Sequence, residues 1–599
     1  MRQSNKKRAG RPQPRPAGRP AEVKKPDKVG GAGMPGGAKP SGKAKNGGVP
    51  TDAKPSNKAR NGGVPADAKP PNKARNGGVP VSVGQAIEAE VVGLTHEGEG
   101  VVRVEGYTLF VRGALPGDRV KADVVSVGKS FGRARMTALA APSADRVGAP
   151  CAIFEACGGC QLQHWDYAAQ LRWKRQHVAD NLARIGKLPV APLEAGGGED
   201  AARGGVGADA TRSGAGSAAA GEGGAGHRDG SGSPNAQPAA NAAAPHPSGR
   251  PPIVVHPVLG MPDPWRYRNK AQVPIGSHEG GLIGGFYEQG SHQVVDMDVC
   301  LIQQEPNEDT VRRVKEIARS LGYRAYDRET GRGLLRHVVV RHAEATGQRM
   351  VVLITNGRDL PHKDEFVGLV REQVPGVTSI CQNVNTERSS LVFGEETVVL
   401  WGEEVIYDRI GDIEFAISAR SFFQVNPLQT EKLYRTAVEY AKLTGEETVV
   451  DAYCGIGTIT LFLARHARRV YGVEIVPEAI EDARRNASLN GIANVDFAVG
   501  AAEVVLPRWQ AEGIAPDVIV VDPPRKGCDP ALLDTILQLR PERVVYVSCN
   551  PSTLARDLRV LEDGGYRTVE VQPVDMFPHT VHTEVVSLLV WSGTGVEMP

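Results

Sequence analysis

A cysteine in the last third of the chain has the surroundings of a nucleophile. Cys549 lies within V-V-Y-V-S-C-N-P-S-T-L-A-R-D-L, residues 544–558. The apolar residues 544–547 predict a buried strand, the N-P pair ends it, and the residues that follow have the polar start and apolar spacing of a helix. A thiol at the carboxyl end of a strand faces the ligand crevice of an open parallel sheet, where it can attack a substrate. A lone Cys is more often a small buried hydrophobe, so this interpretation depends on the residues predicted around it.

Two further predicted strand ends carry carboxylates. Residues 448–452 predict a strand that runs into D-A-Y-C-G-I-G-T, a glycine-rich turn before a helix. Glu474 ends the next strand, 23 residues after Asp451, and a carboxylate there suits the two ribose hydroxyls of an adenosine cofactor. The turn has two glycines and not the full G-x-G-x-x-G, which fits a cofactor without a pyrophosphate, such as S-adenosylmethionine. Asp522 ends a fourth strand in V-D-P-P-R-K-G, where the paired prolines make a rigid turn.

A third carboxylate comes from the end of the chain. The run D-M-F-P-H-T-V-H-T-E joins two predicted strands, residues 568–574 and 584–590, and Glu584 begins the second of them. We expect its side chain near the same crevice. Upstream, F-F-Q-V-N-P at residues 422–427 precedes another helix. Residues 413–599 therefore predict an α/β, Rossmann-like catalytic domain.

Three of the eight cysteines are clustered earlier in the chain. Cys151, Cys157 and Cys160 are spaced C-x5-C-G-G-C, and the two glycines let the backbone wrap closely around a bound group. A fourth ligand must come from elsewhere, with Cys300 the first candidate and Cys381 the second. The spacing does not decide between an iron-sulfur cluster and a tetrahedral Zn site, because both accept four thiolates. A chance group of structural thiols is the third interpretation.

Short alternating strands fill residues 81–140, before the cysteines. Glycines and a Pro-Gly pair separate them, as in a five-stranded barrel of the OB type. Such barrels commonly bind nucleic acid through cations and aromatic side chains on one face. The candidates for that face are Lys129, Phe131, Arg133 and Arg135. A purely structural barrel is the alternative.

Residues 141–412 predict a central α+β domain that carries the cysteines. Its first candidates for RNA contact are cations of a predicted helix at residues 166–185, namely Arg172, Lys174 and Arg175. Strand signals resume at Trp265, in W-R-Y-R-N-K. That run interleaves aromatics with cations as RNA surfaces often do, although packed aromatics with solvated charges would look similar.

Two segments have the composition of disordered chain. Residues 1–80 hold 19 Lys or Arg against 4 Asp or Glu and repeat N-G-G-V-P every 15 residues. The repeat is too polar to stack into a solenoid, and such a basic tail either adds non-specific RNA attraction or has no specific role. Residues 195–250 are dominated by Gly, Ala, Ser and Pro. An insertion of that length is tolerated at a surface loop because closure entropy grows slowly with length.

Length and charge limit the class of protein. A chain of 599 residues with 40% hydrophobic content is multidomain with real cores. The formal net charge of +2 hides the basic tail, so affinity for nucleic acid must come from that tail or from local patches. No apolar run approaches the roughly 20 residues of a membrane span. We expect a cytoplasmic monomer that binds RNA, with no membrane association and no DNA partner.

The motifs, in their order along the chain, resemble the RNA uracil-5-methyltransferase family. F-F-Q-V-N, D-A-Y-C-G-I-G-T, V-D-P-P-R-K-G, S-C-N-P-x-T-L-A-R-D and M-F-P-H-T…H-x-E cover residues 418–592. The cysteine cluster behind an N-terminal barrel is similar to the ribosomal branch of that family, which has a TRAM domain and a [4Fe-4S] cluster, whereas the tRNA T-loop branch lacks both. The long basic tail and the Ala/Gly-rich insertion depart from the family pattern.

The resemblance implies a role for each candidate residue. The nucleophile would be Cys549 and the base Glu584. The residues that bind S-adenosylmethionine would be Gln424, Tyr453, Glu474 and Asp522. The ligands of the [4Fe-4S] cluster would be Cys151, Cys157, Cys160 and Cys300.

These residue types suit methylation of uracil at C5. C5 is too weak a nucleophile to take a methyl group unaided, but C6 is the electrophilic end of an enone, to which a thiolate adds. The addition makes C5 an enolate carbon that attacks the sulfonium methyl, and a carboxylate then removes the C5 proton so that the thiolate can leave. A stacked uridine must first be turned out of its helix.

The hypothesis from the sequence is therefore methylation of a uridine in 23S ribosomal RNA. A tRNA uracil-5-methyltransferase is the first alternative, against which the cysteine cluster and the barrel argue. A cytosine-C5 methyltransferase would also use a cysteine, but it needs a group that protonates N3. A non-catalytic RNA-binding protein with a metal site would require a cleft that has lost its catalytic residues. The complete set of candidate residues disfavours this alternative.

Overall fold

Five strands at the start of the described chain close into a barrel. The computed structural model describes residues 79–194 and 251–593, so the predictions for the basic tail and for the insertion lie outside the described residues. The barrel strands are β1 (Ala86–Leu94), β2 (Gly100–Val104), β3 (Tyr107–Val111), β4 (Arg119–Val127) and β5 (Phe131–Ala141). They close in the order β1-β2-β3-β5-β4. Gly132 is needed where β4 and β5 approach, because a Cβ there would lie 2.4 Å from the Ser126 carbonyl oxygen. The predicted five-stranded barrel is confirmed.

Helix α1 (Tyr167–Arg184) and strand β6 (Val254–Val255) flank the insertion. The backbone on its two sides is joined. The Ile253 N–H donates to the Pro189 carbonyl (2.7 Å), and the Ala191 N–H donates to the Ile253 carbonyl (2.9 Å). The two ends are therefore held together by the structure around them.

A seven-stranded sheet forms the middle of the structure. Its elements are β7 (Lys270–His278), β8 (Gly281–Tyr287), β9 (Val294–Asp296), α2 (Glu305–Ser320), β10 (Leu335–His342), β11 (Arg349–Thr355), α3 (Lys363–Gln373), β12 (Val377–Val384) and β13 (Glu396–Gly402). The strand order is β13-β12-β11-β10-β7-β8-β9. Val338 and Val340 of β10 pack with the two helices, whereas Val339 between them packs with the C-terminal core. This part of the structure combines helices and strands, as the predicted α+β class requires. Its first strand, β7, begins at Lys270 and not at Trp265.

An eight-stranded sheet forms the C-terminal part. A hairpin precedes it, and the elements are β14 (Val405–Ile410), β15 (Ile413–Ser418), α4 (Pro427–Ala441), β16 (Thr448–Ala452), α5 (Thr458–Ala464), β17 (Arg469–Glu474), α6 (Pro477–Leu489), β18 (Val495–Val499), α7 (Ala502–Ala511), β19 (Val518–Val521), α8 (Pro530–Leu539), β20 (Arg543–Ser548), α9 (Pro551–Asp563), β21 (Tyr566–Val574) and β22 (Glu584–Trp591). The sheet order is β18-β17-β16-β19-β20-β22-β21-β6. The first five strands are parallel, and β22 is antiparallel to both of its neighbours. This is the predicted Rossmann-like fold. Among the described helices, none has the length and apolar character needed to cross a membrane.

The two elements that flank the insertion belong to the C-terminal core. β6 pairs in parallel with β21, and Val178 and Leu182 of α1 share a core with Leu554 and Leu558 of α9. Residues 141–412 were predicted to form one central domain. In the structure the apolar face of α1 packs against α9, a contact between segments far apart in the chain.

The buried cation Lys174 joins α1 to the loop before β22. Its ammonium donates to Asp575 (2.5 Å) and to the Phe577 carbonyl (3.2 Å), and it has no exposed surface. The expectation that Lys174 contacts RNA is therefore wrong, because a cation on the inner face of a helix is held by a buried carboxylate. Arg175 likewise donates to a carbonyl of β6, and Arg172 is the member of the trio that is exposed.

We expect Lys174→Ala to lower the free energy of unfolding by about 3–5 kcal/mol, because it leaves the Asp575 carboxylate buried without its cation. Arg172→Ala removes a cation from the exposed side of the same helix and should cost less than about 1 kcal/mol. Denaturant unfolding followed by tryptophan fluorescence measures both variants. Equal, small losses in the two would contradict the structural role of the Lys174 pair.

Candidate active site

The predicted site residues meet where the strand order reverses. In an open parallel sheet the ligand crevice lies there, at the carboxyl ends of the strands. A cavity of about 680 Å³ occupies this position between the ends of β16 and β19. Six residues singled out from the sequence line it: Gln424, Tyr453, Glu474, Asp522, Cys549 and Glu584. The structure thus brings together side chains from six separate stretches of the chain.

The glycine-rich turn after β16 shapes one wall of this cavity. Tyr453 has a left-handed backbone (φ 73°), and its N–H and that of Cys454 both donate to the Val473 carbonyl, at 3.0 Å. Asp451, which the sequence analysis used only to mark a strand end, also lines the cavity. One of its carboxylate oxygens accepts from Thr460 (2.6 Å), and the other is buried without a hydrogen-bond partner among the described residues. Burial raises the pKa of Asp451 to about 7.

The end of β17 supplies a second carboxylate. Glu474 accepts hydrogen bonds from the backbone N–H groups of Gly455 (3.3 Å) and Val476 (3.0 Å). These bonds hold its side chain against the glycine-rich turn, where the adjacent strand ends meet. On the opposite side Gln424 is buried, and its backbone carbonyl accepts from the side-chain amide of Asn269 (3.2 Å). The central sheet therefore helps to hold this wall.

Helix α9 and the residue that caps it hold the D-P-P-R-K-G loop beside the segment that contains Cys549. The side chains of Asn550 and Thr553 donate to the Arg525 carbonyl, at 3.1 and 3.3 Å. Asp557, one turn further along the helix, accepts from the Cys528 N–H (2.9 Å). The two sequence motifs are thus one structural unit, and the unit places Arg525 at the cavity. Arg525 was not predicted from the sequence as a site residue, although it belongs to the D-P-P-R-K-G motif.

Negative charge surrounds the thiol. Burial, followed by the carboxylates of Glu584 and Asp522, raises the pKa of Cys549 to about 12, and Arg525 acts in the opposite direction. Glu584 is only 5% exposed, and burial followed by the nearby Asp522 raises its pKa to about 8, again against Arg525. Burial raises the pKa of Asp522 to about 6. In the protein alone, Cys549 and Glu584 therefore both hold protons at neutral pH.

The loop from residue 575 to 583, which leads into Glu584, is held from several directions. The Pro578 carbonyl accepts from the Tyr267 hydroxyl (3.0 Å), and the Trp265 ring stacks on His579 with centroids 3.7 Å apart. The run W-R-Y-R-N-K is thus packed against this loop. The prediction that this run forms an RNA surface is replaced by the alternative of packed aromatics, because its rings find partners inside the protein.

The segment that follows the cysteine cluster holds the same loop. The backbone N–H groups of Gln161 and Leu162 donate to the His579 carbonyl, at 3.1 and 3.0 Å. The His579 N–H in turn donates to the Gln170 side chain (3.1 Å). The residue next to Cys160 is therefore hydrogen-bonded to the loop that carries the candidate base.

The four predicted cysteines line a second cavity, of about 480 Å³: Cys151, Cys157, Cys160 and Cys300. Burial raises the pKa of Cys160 to about 12 and of Cys300 to about 11, and neighbouring thiols of the group contribute to both shifts. All four are free thiols. Within residues 79–194 and 251–593, no group of three or more His, Cys, Asp or Glu is arranged so that it could hold a metal ion. The second candidate, Cys381, is buried in the core between the two sheets, away from this cavity.

The two cavities share part of their walls. Phe422, Gln424, Arg525, Phe577 and His582 line both of them. The backbone of Cys300 is fixed nearby, since its N–H donates to the Glu308 carboxylate (2.8 Å). His582 is a further residue that the sequence analysis did not single out, although it lies two positions before Glu584.

The barrel presents the face expected from the sequence. Phe131, Arg133 and Arg135 alternate along β5 and are exposed, as is Lys129 in the preceding turn. The Phe131 ring lies 5.2 Å from that of Phe110. This face therefore offers both aromatic and cationic side chains to solvent.

Comparisons with known protein families agree with this architecture. A family model described as tRNA (Uracil-5-)-methyltransferase matches residues 403–591, and the model of the TRAM domain matches residues 80–137. An uncharacterized RNA methyltransferase of Halalkalibacterium halodurans is 54% identical over 509 residues, which cover 85% of this chain and 98% of that protein. Another, from Listeria monocytogenes, is 46% identical over 84% of this chain and 97% of its own length.

A solved structure is similar over most of the chain. It is the Pyrococcus abyssi tRNA (uracil-54, C5)-methyltransferase in complex with S-adenosyl-L-homocysteine. The TM-score is 0.59 at 26% identity, and the match covers 84% of this chain and 100% of the other. The likeness therefore extends well beyond the C-terminal sheet.

We expect Glu584→Gln to remove a pH-dependent loss of stability. The folded protein holds the Glu584 proton up to about pH 8, whereas an unfolded chain releases it near pH 4.3, so this group's contribution to stability falls as the pH rises between the two values. The parent protein should thus lose more of its unfolding free energy between pH 5 and pH 8, by up to about 1.4 kcal/mol per unit, than the Gln variant does. Thermal unfolding across that range measures the difference.

Glu542→Gln is the matched control, because Glu542 lies just before β20, at the opposite edge of the same sheet, with its carboxylate exposed. It should follow the parent protein at every pH. A Glu584→Gln profile parallel to that of the parent would contradict the raised pKa.

Proposed function

The chain belongs to the RNA uracil-5-methyltransferase family, and on that premise we propose that it methylates C5 of a uridine in 23S ribosomal RNA. It is an S-adenosylmethionine-dependent enzyme with a TRAM domain. The observation that carries the proposal is that a thiol, a buried carboxylate and the candidate donor-binding residues line a single cavity. Because one chain supplies all of them, we expect a monomer to be active. Its RNA substrate makes the cytoplasm the expected compartment.

The cavity fits a methyl donor that contains adenosine and a sulfonium. Glu474, at the end of β17 beside the glycine-rich turn, is suited to accept hydrogen bonds from ribose hydroxyls. Asp451 offers a buried oxygen without a partner among the described residues. Tyr453, Asp522 and Gln424 complete the walls. When bound, the donor supplies an electrophilic methyl group.

The thiol supplies the nucleophile for the base. Cys549 gives up its thiol proton to solvent, the thiolate adds to C6 of the uracil ring, and the resulting enolate at C5 takes the methyl group. Asp557 of α9 and Asn550, which caps the start of that helix, position the cysteine and the neighbouring loop as one unit. Arg525, the cation that favours ionisation of both Cys549 and Glu584, is also suited to stabilise the enolate charge that develops on the ring.

Glu584 is the proposed general base. Its raised pKa of about 8 is close to the pH at which a base both binds and releases a proton readily. After methyl transfer it removes the C5 proton, so that the C6–S bond breaks and Cys549 is regenerated. Its place at the start of β22, next to the end of β20, brings it to the same side of the sheet as the thiol.

We propose that the four cysteines hold a [4Fe-4S] cluster. Their convergence on one cavity supports this, as does the mutual influence of their thiols on each other's pKa. The cluster would hold residues 151–160 and, through Gln161 and Leu162, the loop before Glu584.

A transfer RNA is the second candidate substrate. The Pyrococcus abyssi protein acts on tRNA uracil-54 according to its description, and its similarity to this chain covers 84% of the sequence. The resemblance of this set of features to the ribosomal branch supports the ribosomal substrate.

Incubation with RNA that contains 5-fluorouridine, together with the methyl donor, should trap a covalent enzyme–RNA adduct. Fluorine at C5 cannot be removed as a proton, so the C6–S bond persists and the complex survives denaturing electrophoresis. We expect the adduct with a 23S rRNA transcript and not with tRNA transcripts. Cys549→Ala should form none, and its methylation of normal RNA should fall on the order of 10³-fold or more.

Cys381→Ala removes a cysteine of the core and serves as the control that keeps the adduct. Absence of an adduct with every RNA would refute the covalent mechanism. An adduct with tRNA alone would refute the ribosomal substrate and favour the second candidate.

Protein purified without oxygen should be brown, with absorption at about 400 nm and about four iron atoms per chain. Cys300→Ala should lose most of this iron because one of four thiolate ligands is missing, whereas Cys381→Ala should retain it. Iron analysis and absorption spectroscopy measure both. A colourless protein that contains zinc, or equal iron in the two variants, would contradict the cluster or its ligand set.

A further inference from the structure

The active-site cavity has many more acidic than basic side chains. Its carboxylates are Asp451, Glu474, Glu503, Asp522, Asp529 and Glu584, and its cations are Arg525 and Lys526. A concave site with this surplus attracts cationic ligands and disfavours any further negative charge within it.

Charged side chains lie on both sides of the strand that Cys549 follows. The strand that it follows, β20, pairs with β19 and with β22. The loop after β19 presents Asp522 and Arg525, and the start of β22 presents Glu584. Asp451 and Glu474 lie at the ends of the neighbouring strands, and burial lowers the pKa of His582 to about 4, which leaves its ring neutral.

Cys549 in these surroundings is a thiol and not a thiolate at neutral pH. Burial and the two nearest carboxylates act in the same direction on its pKa, and one cation opposes them. The thiolate is the form that attacks carbon. Something must therefore add positive charge to the cavity before the nucleophile is available.

We propose that Cys549 becomes a thiolate when a sulfonium occupies this cavity, so that the methyl donor also switches on the nucleophile. The S–H bond breaks heterolytically, its electron pair stays on sulfur, and the proton is released to solvent. The inference rests on the proposed function, since the sulfonium is that of the same donor. After methyl transfer the donor sulfur is an uncharged thioether, and the cavity again favours the protonated thiol.

The proposal gives two reciprocal effects. A cation within a few ångströms lowers the pKa of a neighbouring acid by about 1–3 units. By linkage, ionisation of Cys549 tightens donor binding by the same factor, so the affinity for the donor increases with pH. S-adenosylhomocysteine has nearly the same shape but no charge on sulfur, and it should show neither effect.

Alkylation of Cys549 by iodoacetamide tests the ionisation directly. The rate is followed across neutral and alkaline pH by mass spectrometry of the peptide that contains Cys549, for the protein alone, with S-adenosylmethionine, with S-adenosylhomocysteine and with sinefungin, which carries an amine in place of the sulfonium. The profile should move about 1–3 units toward lower pH with the two cationic ligands and remain in place with S-adenosylhomocysteine. Any steric shielding by the ligand is common to all three.

Two variants refine the test. Asp522→Asn removes one carboxylate beside the thiol and should move the profile of the protein alone toward lower pH. Asp563→Asn removes a carboxylate from the far end of α9, where it pairs with Arg559, and should leave the profile unchanged. Calorimetry in buffers of different ionisation enthalpy should detect proton release on binding of S-adenosylmethionine, a release that Cys549→Ala reduces.

The outcomes separate the inference from the proposed function. If both ligands bind and RNA is methylated, but the alkylation profile stays in place or moves equally with S-adenosylhomocysteine, the inference is overturned and the function stands. If neither ligand binds, the proposed function fails and the inference fails with it.

Discussion

The direction of one strand determines how the rest of the structure is built. Parallel strands all end at the edge of the sheet where ligands bind, whereas an antiparallel strand begins there. β22 is antiparallel between β20 and β21, so its first residue, Glu584, lies at the same edge as the last residue of β20. Glu584 and Cys549, the proposed base and nucleophile, thereby come to the same edge, one at the first position of β22 and the other in the bend directly after β20. This arrangement requires the chain to cross the catalytic edge in the loop from residue 575 to 583.

That loop is held by parts of the protein that have no catalytic side chain. The buried Lys174 binds it from α1, Tyr267 and Trp265 bind it from the segment before β7, and Gln161 and Leu162 bind it from the cysteine segment. The central sheet and the N-terminal helix thus act on the position of Glu584 through backbone and buried polar contacts. Each of these contacts ties a different part of the chain to one loop.

The sequence predicted what depends on local spacing. Strand ends, the glycine-rich turn and the helix after Cys549 all follow from patterns of a few residues, and the shared crevice follows from the geometry of parallel sheets. Burial that arises from distant contacts was not predictable in this way. Lys174 and the run from Trp265 have the composition of an RNA-binding surface, but their partners lie hundreds of residues away in the chain. The association of α1 and β6 with the C-terminal sheet was concealed by the insertion between them.

The joined ends of that insertion have a practical consequence. Pro189, Ala191 and Ile253 form a small clasp of backbone hydrogen bonds, and this clasp keeps the points where the chain leaves and re-enters the described structure next to each other. A fluorescent protein or an affinity module whose own termini are close together can be spliced in at that clasp, in place of residues 195–250, without separating β6 from β21. The position of residues 195–250 is therefore suited to the insertion of a second folded domain.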